Sequence, residues 1–588
     1  MKLIIREYLA SLKERGELDA VLPDLLSQMG LNVFSRPGRG TRQDGVDVAA
    51  VGRLGGKKAK EKVYLFSIKP GDLTRQDWAG GKVQDLRPSL VEILDSYIPN
   101  RLPAEHKNKD IVICICIGGD IQEQVRPSVE GFIKRNQKRK ITFEQWNGDK
   151  LASLIQDTFL REDFLPADSR SRLRKSLAML DEPDTAYAHF AALIHALSDV
   201  EKLTGPKRLR AIRQIGIALW IQFAWGRNTG NLEAPYRCSE LALLHAWRIV
   251  SFHVEKKDKT SRAVIGAFLA ILSTYHQIST EYLHKCILPH VGKRDGLSSA
   301  VRTTASIDIN LKMFDALGRL AVKGLWQRWG AERAAASNKD MDATFLNPYF
   351  QCVAAVKEMI SNNSVLLLPL EDGQAIDINI AVFLLAIDQN NQGDIQAWLS
   401  EIVNRAAFAY RTHGRYPAIL HSYSEKLEHP QRNDEYRRNV TAGSILYPMA
   451  ALWAALFDFD DVYADVSTFK TQHLQHCTFQ FWYPDETSER YLYTNQDGHG
   501  ATLSDAAVDR PKAELLKQAF AECDHLPQFF ELSAVKYGFW PLVVVACRHY
   551  RLPLPLHLFK DFLAGASSST PAPTGEAEDE PGSDVAQA

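Results

Sequence analysis

Hydrophobic and polar positions divide the chain into two unlike parts. Near the start, Leu18, Val21, Leu22, Leu25, Leu26 and Met29 recur at helical spacing, and Gly30 ends that helix before a short strand, Leu31-Asn32-Val33-Phe34. Two β-branched, apolar runs follow, Val46 to Val51 and Val63 to Lys69. The segment between them, Arg53 to Lys62, is rich in glycine and lysine, so the pair predicts a hairpin. After an amphipathic stretch from Leu86 to Ile98, Ile111 to Ile117 is apolar without interruption, as expected of a strand buried on both faces. A helix from Gln122 to about Lys138, a strand from Ile141 to Trp146, an Asn147-Gly148 turn and a helix from Asp149 to Phe159 complete an α/β layered domain of about 165 residues.

From about residue 170 to 563 the period becomes helical. Ala186 to Val200, Leu209 to Trp225, Ser239 to His253, Ala263 to Tyr275, Ile307 to Trp329 and Ala381 to Phe408 are long, amphipathic and joined by short polar links, which predicts packed helical pairs. No fixed repeat period runs through them. One interruption, Cys477 to Tyr483 and Arg490 to Tyr493 around a polar turn, predicts an aromatic β-hairpin at about 476–495, followed by a glycine-rich loop at Gln496 to Gly500. The organisation expected is an α/β domain over 1–165, a mainly helical region over 166–565, and an acidic, Ser- and Pro-rich tail over 566–588 that is disordered.

Chemistry concentrates in the first domain. Strand side chains alternate, which puts Ser67 and Lys69 on one face beside the strand that carries Asp47. A carboxylate and a lysine ending adjacent strands suit one chemistry: the acid holds a divalent cation, and the lysine orients or deprotonates a water for attack on phosphorus. The plainer reading is that Asp44 and Asp47 shape a turn by accepting local amide bonds and that Lys69 is a surface charge.

The order of these elements resembles the restriction-endonuclease-like PD-(D/E)xK fold, and within it the Mrr-like branch, whose pattern runs helix, Gly, strand, Asp-Gly-x-Asp turn, then acid-x-Lys. The turn here is Asp44-Gly45-Val46-Asp47, the second motif is Ser67-Ile68-Lys69, and Ile141 to Leu154 resembles the branch's closing strand, glycine turn and helix. The resemblance implies a mixed central sheet flanked by helices and a Mg²⁺-dependent DNA endonuclease in which Mn²⁺ can stand in for Mg²⁺, acting in restriction or antiviral defence. It makes Asp47 the principal metal ligand, the backbone carbonyl of Ile68 a second, Lys69 the catalytic lysine, and Asp19 the first-helix acid that reaches the cation through water. Two positions depart from the pattern. Ser67 stands where the family usually has Glu or Gln, and a hydroxyl is a weaker ligand for a hard cation. Pro23 lies four residues after Asp19, where its ring collides with the Asp19 carbonyl in an unbroken helix, so Glu7 is the substitute acid.

Charge adds a nucleic-acid partner. The chain carries a net charge of −1, yet residues 1–165 hold 27 Lys and Arg against 23 Asp and Glu. Lys57, Lys58, Lys60 and Lys62 crowd the hairpin, and Lys134, Arg135, Lys138, Arg139 and Lys140 end a helix; either group can neutralise phosphates. The second group also suits a solvated helix end whose cations complement the macrodipole. At 588 residues and 45% hydrophobic content, two or three domains are expected. The eight cysteines show no paired spacing, and Met1 to Glu7 meets charge at once. The longest apolar run, Ile445 to Phe457, is too short for a bilayer, so a reduced, cytoplasmic setting with no membrane partner is expected. His473, His476 and Cys477 lack a second ligand pair, and no zinc is expected. No phosphate-binding glycine-loop motif is present, so any nucleotide-driven step needs a partner protein, bound by the helical region. That region also offers a surface for a homodimer or a higher oligomer. Two readings therefore stand: a nuclease directed by its helices, and a DNA-binding adaptor whose nuclease fold has lost catalysis.

Overall fold

Five strands of the N-terminal part pair in the order in which they occur along the chain: β1 (Asn32–Ser35), β2 (Val48–Gly52), β3 (Lys62–Lys69), β4 (Asp110–Ile117) and β5 (Ile141–Trp146). The computed structural model describes residues 6, 9–10, 18–36, 44–54, 59–81, 85–159, 167–199, 204–301, 303, 305–337, 346–495 and 497–560. These form two compact units, 1–278 and 279–588. The sheet is mixed: β1, β2 and β3 pair antiparallel, as the expected hairpin requires, while β3, β4 and β5 pair parallel. A parallel neighbour needs a crossover, and each crossover here is helical. Between β3 and β4 run α2 (Arg75–Ala79), α3 (Leu86–Glu92) and a π-helix, Ile93–Arg101. Between β4 and β5 runs α4 (Arg126–Asn136), which begins four residues later than the pattern predicts. Gln122 to Val125 make a turn instead, and Pro127 occupies the first helical turn, where its missing N–H costs nothing.

Alternation then decides which side chains meet which helices. Val63 and Leu65 of β3, with Ile111, Ile113 and Ile115 of β4, bury themselves under Trp78, Leu86, Leu90, Ile93, Val129 and Phe132 of the crossover helices. The opposite face carries Phe66 and Trp146, whose rings meet edge to face at 5.0 Å. That side is covered by α1 (Asp19–Gln28) and α5 (Gly148–Phe159), which pack on each other. Cys114 and Cys116 are buried core residues of β4. Helix α1 runs unbroken through Pro23, as the helical spacing from Leu18 to Met29 predicts; the Ser27 hydroxyl donates to the Pro23 carbonyl at 2.8 Å. The unit continues through α6 (Ala167–Ala178), α7 (Pro183–Leu197), α8 (Gly205–Thr229), α9 (Glu233–Val250) and α10 (Lys259–Tyr282), most of them longer than their apolar periods suggest. The stretch 259–291 has the length and mean hydropathy, 1.2, of a membrane-crossing helix, and half of its apolar window is buried.

In the second unit, α11 (Ser306–Ser337) packs on α12 (Asn347–Asn362), α13 (Ala375–Ala386) and α18 (Pro541–Tyr550). A buried ionic cluster joins three of them. Asp377 of α13, 2% exposed, forms an ion pair with Arg548 at 3.2 Å and accepts from Arg551 at 2.7 Å, and Asp315 of α11 pairs with Arg548 and, at 2.8 Å, with Arg319. The expected single helix from Ala381 to Phe408 is two, α13 and α14 (Gln392–Arg411), because the Asp388 side chain accepts from the Asn390 N–H and holds a 3-10 turn there. Then come β6 (Gly443–Ser444), α15 (Leu446–Leu456) and α16 (Asp460–Gln472).

The aromatic hairpin at 476–495 does not form. β7 (Thr478–Phe479) pairs parallel with β6, and β8 (Phe481–Tyr483) pairs antiparallel with β9 (Ala501–Leu503). Arg490 and Tyr491 belong instead to a short helix, Ser488–Tyr491, because Asp485 accepts from Thr487 and Ser488 and turns the chain into it. Helix α17 (Lys512–His525) packs on α15. The tail over 566–588 lies outside the described residues.

The ends of the parallel strands are held by close backbone approach. The Gly148 N–H donates to the Gly119 carbonyl at 2.7 Å, and a Cβ on Gly148 would collide with the Gly118 carbonyl. By contrast, a Cβ on Gly131, inside α4, meets nothing within 4 Å. Gly148→Ala is therefore expected to lower stability by ~1–3 kcal/mol through overpacking. Gly131→Ala is expected to raise it by ~0.5–1 kcal/mol, since alanine loses less backbone freedom in a helix. Urea unfolding of the two variants beside the parent chain checks the opposite signs.

Candidate active site

The site is assembled where β2 begins and β3 ends. Asp44 and Gly45 both have positive φ, 48° and 80°, so the turn before Asp47 winds through two left-handed residues. Gly45 is pressed against α3, where a Cβ would strike the Ser89 carbonyl; no other residue fits. Asp44 is held by Arg101, 2.6 Å away at the end of the π-helix. With the turn fixed, the Asp47 N–H donates to the Phe66 carbonyl at 2.9 Å, and one Asp47 carboxylate oxygen accepts the Ile68 N–H at 2.7 Å. The acid thus spans two strands and reaches the peptide between Ser67 and Ile68.

Parallel pairing with β4 sets the surroundings. Ser67, Ile68 and Lys69 lie beside Ile115, Cys116 and Ile117, and the Lys69 carbonyl accepts the Gly118 N–H at 3.2 Å. Ser67 is 1% exposed and Lys69 9%. Burial, and after it the negative charge of Asp47, push the Cys116 thiol up. The candidate donors here are the Asp47 carboxylate, one oxygen of which already accepts the Ile68 N–H, and the backbone carbonyl of Ile68, both hard oxygen. That set fits a magnesium-type ion, which keeps several waters and needs only one or two protein carboxylates. Among the described residues, no group of three or more His, Cys, Asp or Glu side chains is placed to hold a metal.

Asp19 sits apart from this group. It opens α1 and lines a cavity with Asp24, Arg36, Arg213 and Arg262, a cavity that none of Asp47, Ser67, Ile68 or Lys69 lines. Glu7 is outside the described residues. Among the described residues near it in sequence, the Leu9 and Ala10 carbonyls approach Gly118 and Gly71, and Arg6 lies 3.6 Å from Asp149.

The basic clusters are at the other end of the sheet. Lys62 opens β3 and Lys69 closes it, a separation of roughly 23 Å at about 3.3 Å per residue. Lys60 is exposed next to Lys62, and Lys138 makes the turn into β5 with Arg139 and Lys140 exposed beside it. Arg135 donates to the Gly131 carbonyl of its own helix at 3.1 Å. Lys57 and Lys58 lie outside the described residues. Residues that the motif reading missed are positional: Arg101, for which the sequence carries no signal, and Gly118, readable only as a glycine ending an apolar strand.

The aromatics of the second unit belong to its core. Phe479, Phe481, Trp482 and Tyr483 are all buried; Phe479 stacks on Tyr447, and the Tyr483 hydroxyl donates to the Ala519 carbonyl at 3.0 Å. His476 pairs with the Thr441 hydroxyl at 2.9 Å, while burial pushes the Cys477 thiol up to about 12. No protein family, curated protein or solved structure matches this chain.

The Asp47 carboxylate has a structural duty separable from its charge. Asp47→Ala leaves the buried Ile68 N–H without its acceptor and is expected to cost ~1–3 kcal/mol. Asp47→Asn keeps an oxygen in place and should cost less than half of that. Equilibrium unfolding of both variants measures the difference.

Proposed function

We propose that the chain is a magnesium-dependent DNA endonuclease of the PD-(D/E)xK type, with its catalytic group in the N-terminal unit. One observation carries the reading: Asp47 accepts the Ile68 N–H, so an acid meets the strand that carries Ile68 and Lys69 where the two adjacent strands end. Mg²⁺, or Mn²⁺ in its place, would be held by Asp47 and the Ile68 carbonyl, and would supply a polarised phosphoryl oxygen and a more acidic water. Lys69 would orient that water. Hydrolysis of DNA phosphodiesters in restriction or antiviral defence is the setting this reading favours.

A second reading, a DNA-binding adaptor without catalysis, is favoured by Ser67 in place of an acid and by basic clusters gathered at the far end of β3. The two separate in a plasmid-cleavage assay on the full chain with Mg²⁺, Mn²⁺ or EDTA. The nuclease reading expects metal-dependent cleavage that falls by roughly 10²–10³ in Lys69→Ala and in Asp47→Asn, as when a group that stabilises the transition state is removed. Unchanged cleavage in either variant removes the assignment. Salt-sensitive DNA binding without cleavage in any metal selects the adaptor.

The far-end cations have their own signature. Replacing Lys138, Arg139 and Lys140 together by Gln is expected to weaken DNA binding for all sequences alike, and to flatten the slope of log K against log salt by about 0.9 for each phosphate that is no longer neutralised. A fluorescence-anisotropy titration across salt concentrations reads the slope directly.

A further inference from the structure

The cavity that holds Asp19 has a volume of about 500 Å³, within the range of small-ligand sites. One wall is α1, with Asp19 and Asp24; another is Arg36, just beyond β1; Arg213 of α8 and Arg262 of α10 close it. Three arginines and two aspartates line it, one more cation than anion. Asp24 answers part of it, 3.8 Å from Arg36, and burial pushes its carboxyl up against the pull of Arg213 and Arg36. The α10 wall cannot fill the space, for it presents Ala263, Gly266, Ala267 and Ala270, and a Cβ on Gly266 would meet nothing within 4 Å.

We propose that this cavity is a binding site for a small phosphate-bearing anion of mononucleotide size, held by Arg36, Arg213 and Arg262. Guanidinium groups recognise phosphate through paired, charge-assisted N–H donors, and three arginines lining a space with a small-residue wall offer a cradle for it. The Arg36 side chain is 57% exposed, and Arg262 is exposed as well, so both heads can turn onto a ligand. A ligand here touches α1, which packs on β2, and α8 and α10 of the helical layer at once. The site does not rest on the nuclease reading, since no member of the Asp47 group lines it.

The test uses the full chain in EDTA, which removes metal-dependent phosphate binding elsewhere, with ATP, AMP and inorganic phosphate as probes in isothermal titration calorimetry. Expected is saturable binding of at least one probe, weakened tenfold or more in Arg262→Gln and in Arg213→Gln, and unchanged in Arg294→Gln, an exposed arginine of the second unit. Arg262 is exposed, so its variant keeps the fold; thermal melts of the unliganded proteins verify this. Equal affinity for inorganic phosphate and the nucleotides supports the site and reduces its ligand to the phosphate group. Absence of binding by every probe at millimolar concentration, or binding that survives both substitutions, overturns the proposal.

Discussion

A single carboxylate bridging two strands organises the N-terminal unit. Asp47 can accept the Ile68 N–H only if the chain enters β2 through the left-handed Asp44-Gly45 turn, and only if β3 extends far enough to bring Ile68 alongside. The turn in turn depends on Arg101 and on the absence of a side chain at Gly45. A local backbone requirement thereby becomes a chemical one: the same bond that ends the strand pair puts an acid beside Ile68, the residue whose own carbonyl is the second hard donor of the proposed site.

Much of this was legible because buried strands are written in apolar residues. Ile111 to Ile117 and Val63 to Lys69 leave no other reading, and β4, β3 and the hairpin partner β2 lie where their patterns put them. The Asp-Gly-x-Asp turn was legible too, since positive φ selects glycine. What escaped depended on partners distant in sequence. β9 is three residues long and follows a glycine loop, so nothing in its own composition sets it against β8; the nearer Arg490 to Tyr493 is the better partner by pattern, but Asp485 turns the chain into a short helix there. Asp19 has the right spacing from the strands for a catalytic acid, but spacing along a helix does not say toward which neighbour a side chain turns, and here the neighbours are Asp24 and three arginines.

The second unit solves a different problem. Its helices α11, α13 and α18 bury charge as well as hydrocarbon, and ions taken out of water are tolerable only when each finds a partner. Removing one member of such a cluster typically costs more than the cluster contributes, because the partner is left charged and buried. Asp315 and Asp377 with their arginines therefore act less as glue than as a test of correct assembly: the native arrangement of three helices sets each carboxylate against an arginine.

The sheet that separates the lysine clusters from Lys69 also sets a ruler. On the proposed reading, a duplex running parallel to β3 outside the helices that cover it meets the two ends of the strand roughly 23 Å apart, about seven base pairs at ~3.4 Å each and more than half a helical turn. A backbone gripped at one end of the strand would then present the other end with the opposite side of the helix, so the strand held and the strand approached need not be the same. On that reading, length of contact, and not base identity, is the property of DNA to which the arrangement is most sensitive.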